Sequence, residues 1–306
     1  MKKLLVATAK PFHPNAVEGI KDICSKAGYD FQLLEKYSDK SELIEAVKDA
    51  NALIIRSDKV TKEVIDAGEN LEIVVRGGAG YDNVDLDAAS AKNIVVMNTP
   101  GQNSNAVAEL ALGMMVYHAR NHFNGKAGTE LRNKTLGIQA FGNVGHFVTE
   151  IAKGFNMDVY AYDPFIDDSE IKKHGVKPLA SAEELYKTCQ YVSLHIPANE
   201  KTQKSIGYDL MKLMPENAVL VNTARKEVID EDGLLKIMEE RNDFHYISDI
   251  APDCKETFEE KYEGRFFFTP KKMGAQTAEA NINAGIAAAN QIKNYFENGD
   301  TTFKVN

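Results

Sequence analysis

The chain has 306 residues, 43% of them hydrophobic, enough for one large domain or two ordinary ones with a proper core. Its 36 Lys and Arg against 45 Asp and Glu leave a formal charge of −9, which argues against nonspecific nucleic-acid binding but not against small anionic substrates, because local fields decide those. No apolar run reaches membrane-spanning length, the short run Leu4–Ala9 reads as a strand rather than a secretory signal, and Cys24, Cys189 and Cys254 show neither pairing nor metal spacing, so no membrane contact and a reducing cytoplasm are expected.

Short hydrophobic runs then alternate with amphipathic stretches. Leu4–Thr8, Asp30–Leu34, Ala52–Arg56, Ile73–Arg76 and Ile94–Asn98 are expected strands, with helices such as Pro14–Ala27 and Ser41–Ala50 between them. Continuous apolar strands joined by helices imply a parallel sheet covered on both faces. A helix over Ala106–Arg120, rich in Ala, Leu and Met, separates this lobe from a second series: Leu136–Phe141, Val159–Tyr162, Val192–His195, Val219–Asn222, Tyr246–Asp249 and Phe266–Thr269. A last helix, Ala278–Phe296, is expected to carry the chain back to the first lobe. The fold class is therefore α/β, with two Rossmann-like doubly wound parallel-sheet domains separated by a cleft, the kind of place where ligands bind.

The most informative stretch opens the second series. A strand from Thr135 runs through Ala140-Phe-Gly142-Asn143-Val144-Gly145 into a helix, and a second strand ends at Asp163. This is one βαβ unit with an acid at the tip of its second strand, the usual layout for NAD. Ala140 stands at the first fingerprint position, where alanine requires a negative φ or carries strain. Gly142 lets backbone approach a pyrophosphate, Gly145 lets the helix pack closely on the strand, and the helix N-terminus offers N–H groups to the diphosphate. Asp163 suits both ribose hydroxyls of NAD and repels the extra phosphate of NADP.

Arg225 follows a buried strand at the carboxyl edge of its sheet, where ligands collect, and a guanidinium there can grip a carboxylate by two parallel bonds. Gly77, Gly78 and Ala79 follow another strand end, and their amides can nest an anion. Arg56 and Ser57 end a third strand and can meet a phosphate. Lys271 and Lys272 follow Pro270, and either can protonate a developing alkoxide, with Asp253 holding the lysine in place. Lys271 directly follows the proline and is the first choice. His195 lies at a strand end and lines the cofactor site or is structural, while the remaining histidines show no metal spacing.

The stretches Arg56-Ser57, Arg76–Asp85, Asn98–Gly101, Val107–Glu109, Glu130–Gly137, Ser193–Pro197, Val221–Arg225 and Gly274–Glu279, in this order, resemble the D-2-hydroxyacid dehydrogenase family over nearly the full length. The resemblance implies a substrate domain from 1–100 and 284–306, an NAD-binding domain from 101–283, and a homodimer formed through the latter. It implies hydride transfer between NAD and C2 of 3-phosphoglycerate or 3-phosphooxypyruvate, the entry to serine synthesis. The alternatives are a hydroxypyruvate, glyoxylate or lactate-type reductase and a non-catalytic NAD-binding regulator. Arg225 would bind the 2-oxo acid, Gly77–Ala79 its carboxylate and Arg56 its phosphate. Thr223 and Asp249 join Ala140, Gly142, Asn143, Val144, Gly145, Asp163 and His195 in the expected cofactor site.

The chain departs from the family pattern at three places. Ala140 replaces a glycine. The segment Thr269-Pro-Lys-Lys-Met-Gly274 has no histidine after its proline and one extra residue, as in a lysine-bearing subtype. Strict spacing puts Cys254 where the family has a supporting glutamate, with Asp253 as a shifted substitute. The end at Asn306 is expected to leave no room for the serine-sensing domain of longer relatives.

Overall fold

In the computed structural model, which describes residues 1–306, Met1–Asn103 with Gln276–Asn306 form one unit and Ser104–Ala275 another. The first unit runs β1 (Lys3–Thr8), α1 (Pro14–Ala27), β2 (Asp30–Glu35), α2 (Lys40–Val47), β3 (Ala52–Ile55), α3 (Lys62–Ala67), β4 (Ile73–Arg76), α4 (Leu86–Ala91) and β5 (Val95–Asn98), and ends with a closing helix, Ala278–Asn298. Its strands are all parallel, in the order β2-β1-β3-β4-β5. The central strands are apolar on both faces because helices cover both: Leu5, Val6, Leu53, Ile54, Val74 and Val75 are fully buried, each contributing about 1.5–3 kcal/mol.

Local chemistry sets the helix ends. Pro14 opens α1, with His13 Nδ1 accepting from Asn15 N, and Gly28 closes it in the left-handed region. A capping box between Asp39 and Glu42 starts α2 at Lys40, one residue earlier than Ser41. The return to the first unit comes at Gln276, ahead of the closing helix, whose Ala284, Ala288 and Ala289 are buried.

The second unit begins with α5 (Ser104–Ala119), apolar over most of its circumference and part of the core, with Asn105 and Glu109 exposed on one face. It continues through β6 (Thr135–Gln139), α6 (Asn143–Gly154), β7 (Asp158–Tyr162), α7 (Asp168–Lys173), β8 (Lys177–Pro178), α8 (Ala182–Thr188), β9 (Tyr191–Leu194), α9 (Tyr208–Met211), β10 (Val219–Asn222), α10 (Glu231–Glu240), β11 (His245–Ser248), α11 (Lys255–Lys261) and β12 (Phe266–Phe268). Seven parallel strands lie in the order β12-β11-β10-β9-β6-β7-β8. The edge strand β8 was not among the expected strands. β8 is two residues long and includes a proline, which only an edge tolerates. No helix is long and apolar enough to cross a membrane.

Candidate active site

Numbered from its own first strand, β6, the second sheet has the order 3-2-1-4-5-6, extended by one strand, the arrangement of a dinucleotide fold. The order reverses between β6 and β9, where Gln139 and Leu194 are register partners at the carboxyl ends. His195 N donates to the Gln139 carbonyl at 3.0 Å, so the glycine turn and His195 are neighbours at the switch point.

Ala140 takes φ +74°, which ends β6 at Gln139 rather than Phe141. A side-chain-bearing residue in the left-handed region costs roughly 1–2 kcal/mol. Gly142 precedes α6, and no side chain caps the first turn formed by Asn143 and Val144. A Cβ added at Gly142 would meet nothing within 4 Å, whereas one at Gly145 would lie 2.9 Å from the Ala140 carbonyl oxygen and 3.1 Å from Ile138 Cγ2. Open space over an uncapped helix start is what a pyrophosphate requires.

Asp163 is locked onto this turn. Its two oxygens accept from Phe141 N and Phe165 N, each at 2.8 Å. Each oxygen keeps further acceptor capacity for a ribose hydroxyl. His195 Nδ1 lies 3.5 Å from the hydroxyl of buried Thr223, while Nε2 is buried without a hydrogen-bond partner. Burial pushes the His195 pKa down to about 3, so the ring is neutral. A buried, unpaired imidazole nitrogen beside an open glycine turn fits a polar ligand such as NAD.

At the end of β10, Asn222 shapes the turn. Its Nδ2 donates to the Arg225 carbonyl and its Oδ1 accepts from Ala224 N, both at 2.9 Å. Arg225 is exposed, and its Nη1 donates to the Ala224 carbonyl at 2.9 Å. Lys272 Nζ donates to the same oxygen at 3.1 Å. The structure thus brings Lys272, rather than the first-choice Lys271, to Arg225. The main-chain carbonyl of Lys271 accepts from Thr269 Oγ1.

Asp253 has a different lysine as its ion-pair partner. It pairs with Lys226 at 2.5 Å, because Glu231 accepts from Asp253 N and Cys254 N at 2.8 and 2.9 Å and turns that loop toward Lys226. Asp249, placed in the cofactor site by the sequence, is 1% exposed and serves the lysine loop instead. It accepts from Thr269 Oγ1 at 3.1 Å and from Met273 N and Gly274 N at 2.7 Å. One carboxylate therefore fastens both ends of the segment that carries Lys272.

In the first unit, the order reversal falls between β1 and β3. Arg56 follows β3, and its Nη1 donates to the carbonyls of Pro11 at 3.0 Å and Lys10 at 3.3 Å, with the guanidinium 5.3 Å from the Phe12 ring centroid. Burial lowers its pKa, and the charge of Asp58 opposes that shift. Ser57 is exposed beside it.

The amide nest expected at Gly77–Ala79 is corrected in part. Gly77 N donates to the Ile55 carbonyl at 2.8 Å and Gly78 N to Thr99 Oγ1 at 2.6 Å, so both amides are engaged within the unit. Strand pairing continues one residue past β4, and the Thr99 hydroxyl takes the next donor. Three residues were missed by sequence reasoning. Arg76 Nε donates to the Arg56 carbonyl at 2.9 Å, and its strand-end position could have flagged it as it flagged Arg56. Asp58 and Lys226 gave no signal, because burial and ion pairing across loops are not written in local sequence.

These features define a Rossmann-type α/β protein with a cationic pair at the carboxyl edge of its glycine-turn sheet. Residues 6–306 match the family described as D-isomer specific 2-hydroxyacid dehydrogenase, catalytic domain. D-3-phosphoglycerate dehydrogenase of Methanocaldococcus jannaschii is 34% identical over 315 aligned residues, covering 96% of this chain and 57% of that protein. Hydroxypyruvate reductase of Thermotoga maritima is 32% identical over 280, covering 86% and 90%. Among solved structures, NAD+-bound 3-phosphoglycerate dehydrogenase of Entamoeba histolytica is 50% identical, with a TM-score of 0.87 over 100% of this chain and 98% of that one. The chain belongs to the D-isomer specific 2-hydroxyacid dehydrogenase family, and it spans 57% of the length of the Methanocaldococcus relative.

Proposed function

We propose that the chain is an NAD-dependent oxidoreductase acting at C2 of 3-phosphoglycerate and 3-phosphooxypyruvate, the first step of serine synthesis. The observation that carries this reading is the pair Arg225 and Lys272 on one carbonyl oxygen, in the sheet whose switch point bears the glycine turn. The phosphoglycerate dehydrogenases among the relatives support the substrate, and the NAD+-bound one supports the cofactor.

NAD, held by Gly142, the first turn of α6, Asp163 and His195, supplies the hydride acceptor or donor. Arg225 leaves the Ala224 carbonyl to hold the substrate carboxylate and polarise the neighbouring C2 oxygen. Lys272 gives its proton to that oxygen on reduction and takes it back on oxidation. The first unit binds the substrate, with Arg56 and Ser57 taking the phosphate, and the second unit binds NAD. The working form is a cytoplasmic homodimer paired through the second unit.

Following NADH absorbance with 3-phosphooxypyruvate, hydroxypyruvate, glyoxylate and pyruvate tests the reading. Preference for 3-phosphooxypyruvate is expected. Preference for hydroxypyruvate would select the second reading, a hydroxypyruvate reductase, which the Thermotoga relative favours because the alignment covers 90% of its length. No turnover of any 2-oxo acid would reject both.

A further inference from the structure

Only two carboxylates in the chain are buried, Asp249 and Asp58. Each ties loops at the carboxyl edge of its own sheet. Asp249 holds the lysine loop, as described, but nothing so far gives Asp58 a task. A buried carboxylate is costly unless its oxygens are satisfied, and Asp58 is well supplied. Its Oδ1 accepts from Ala9 N at 2.7 Å and from the Tyr37 hydroxyl at 2.8 Å, and its Oδ2 accepts from Arg56 N at 3.3 Å.

Those three donors come from three different strand ends. Ala9 follows β1, Tyr37 follows β2 and Arg56 follows β3, and these strands are neighbours in the order β2-β1-β3. One side chain thus joins the loops on either side of the order reversal. Asn83 Nδ2 adds a fourth loop, donating to the carbonyls of Asp58 at 2.7 Å and Arg56 at 3.2 Å. The Arg56 guanidinium, in turn, rests on the carbonyls of Lys10 and Pro11, within the loop that Asp58 fastens at Ala9. If that loop shifts, the guanidinium loses its seat. The phenol of Tyr37 has its pKa raised by burial and by Asp58, so it stays protonated and a donor at neutral pH.

We propose that Asp58, assisted by Tyr37, is a positioning residue that holds Arg56 and the Ala9–Pro11 loop as a fixed cradle for the substrate phosphate, and so sets discrimination between phosphorylated and unphosphorylated 2-oxo acids. This rests on the reading that Arg56 receives that phosphate. Preorganisation of the guanidinium is what the carboxylate supplies. Its own charge, taken up by three donors, does not touch the ligand.

The test compares steady-state kinetics of the full chain and three variants, Asp58→Ala, Asp58→Asn and Tyr37→Phe, with NADH and either 3-phosphooxypyruvate or hydroxypyruvate. For Asp58→Ala, the ratio of kcat/KM between the two substrates is expected to fall at least fivefold, with the loss in KM rather than kcat. Asp58→Asn should fall between it and the wild type, and Tyr37→Phe should lower the ratio two- to threefold. Equal losses for both substrates would mark a purely structural role and overturn the proposal. So would tighter binding of 3-phosphooxypyruvate, which would make Asp58 a repulsive element. If Asp58→Ala does not fold, an unchanged ratio in Tyr37→Phe, which loses a single hydroxyl, overturns it equally. A wild-type chain indifferent to the phosphate would instead reject the assignment to Arg56, and the proposal with it.

Discussion

Replacing Ala140 by glycine should make the protein more stable. The φ of +74° at this position places a methyl group against the following carbonyl, a strain of roughly 1–2 kcal/mol for an L-residue. Glycine removes that strain but returns roughly 0.4–1 kcal/mol through greater freedom of the unfolded chain. At mid-range values the difference leaves a net gain of about 0.8 kcal/mol. For a unit the size of Ser104–Ala275, each kcal/mol moves the midpoint by about 2–4 °C, so Ala140→Gly should raise the melting temperature of the second unit by about 2–3 °C. Differential scanning calorimetry without cofactor reads this directly. Ala140→Val, with a branched Cβ at the same φ, should shift it the opposite way. A lower midpoint for Ala140→Gly would refute the reasoning, because it would mean the alanine methyl is packed to advantage rather than strained.

Other outcomes follow from the same geometry. Lys272→Ala should cut turnover by about 10²–10⁴, the usual contribution of a general acid, while Lys271→Ala should stay within about threefold of wild type; the opposite ranking in stopped-flow turnover would return the role to Lys271. Gly145→Ala sets a Cβ 2.9 Å from a backbone oxygen, so it should destabilise by about 1–3 kcal/mol and weaken NADH binding in a fluorescence titration. Stability should also fall in mild acid. Burial, reinforced by the neighbouring imidazoles at His118 and by the Arg265 guanidinium at His245, depresses His118 to about 3 and His245 to about 4. Both stay neutral in the folded chain while the unfolded chain takes up protons below about 6.5. Each therefore lowers unfolding free energy by roughly 1.4 kcal/mol per pH unit as pH falls from there toward the folded pKa. Urea midpoints at pH 7, 6 and 5 should decrease in order, and a flat series would contradict this.

Much of the architecture was written in the chain. Strands buried on both faces, such as Leu53–Ile55 and Val219–Val221, read as unbroken apolar runs, and their spacing by helices required a parallel sheet. Strand ends then pointed to Arg225, Arg56 and the glycine turn, because the carboxyl edge is a topological position. What stayed hidden depended on contacts between loops. Nothing near Asp253 announces that Lys226 and Glu231 will claim it. The spare amides imagined at Gly77 and Gly78 vanish only when Ile55 and Thr99 are known to lie alongside. The ranking of two adjacent lysines by distance from the proline is overturned only when Lys272 is seen to reach the Ala224 carbonyl. The direction of φ at Ala140 was likewise open until the turn was built.

Asp249 grips Thr269 on one side and Met273 and Gly274 on the other, leaving Pro270 to Lys272 as a span tethered at both feet. Both feet rest on the end of β11: Thr269 N also donates to the Ser248 carbonyl at 3.1 Å, and Asp249 is the residue that follows that strand. Exchanging side chains within this exposed span should therefore cost the fold little, whereas losing the buried carboxylate beneath it should free the whole segment.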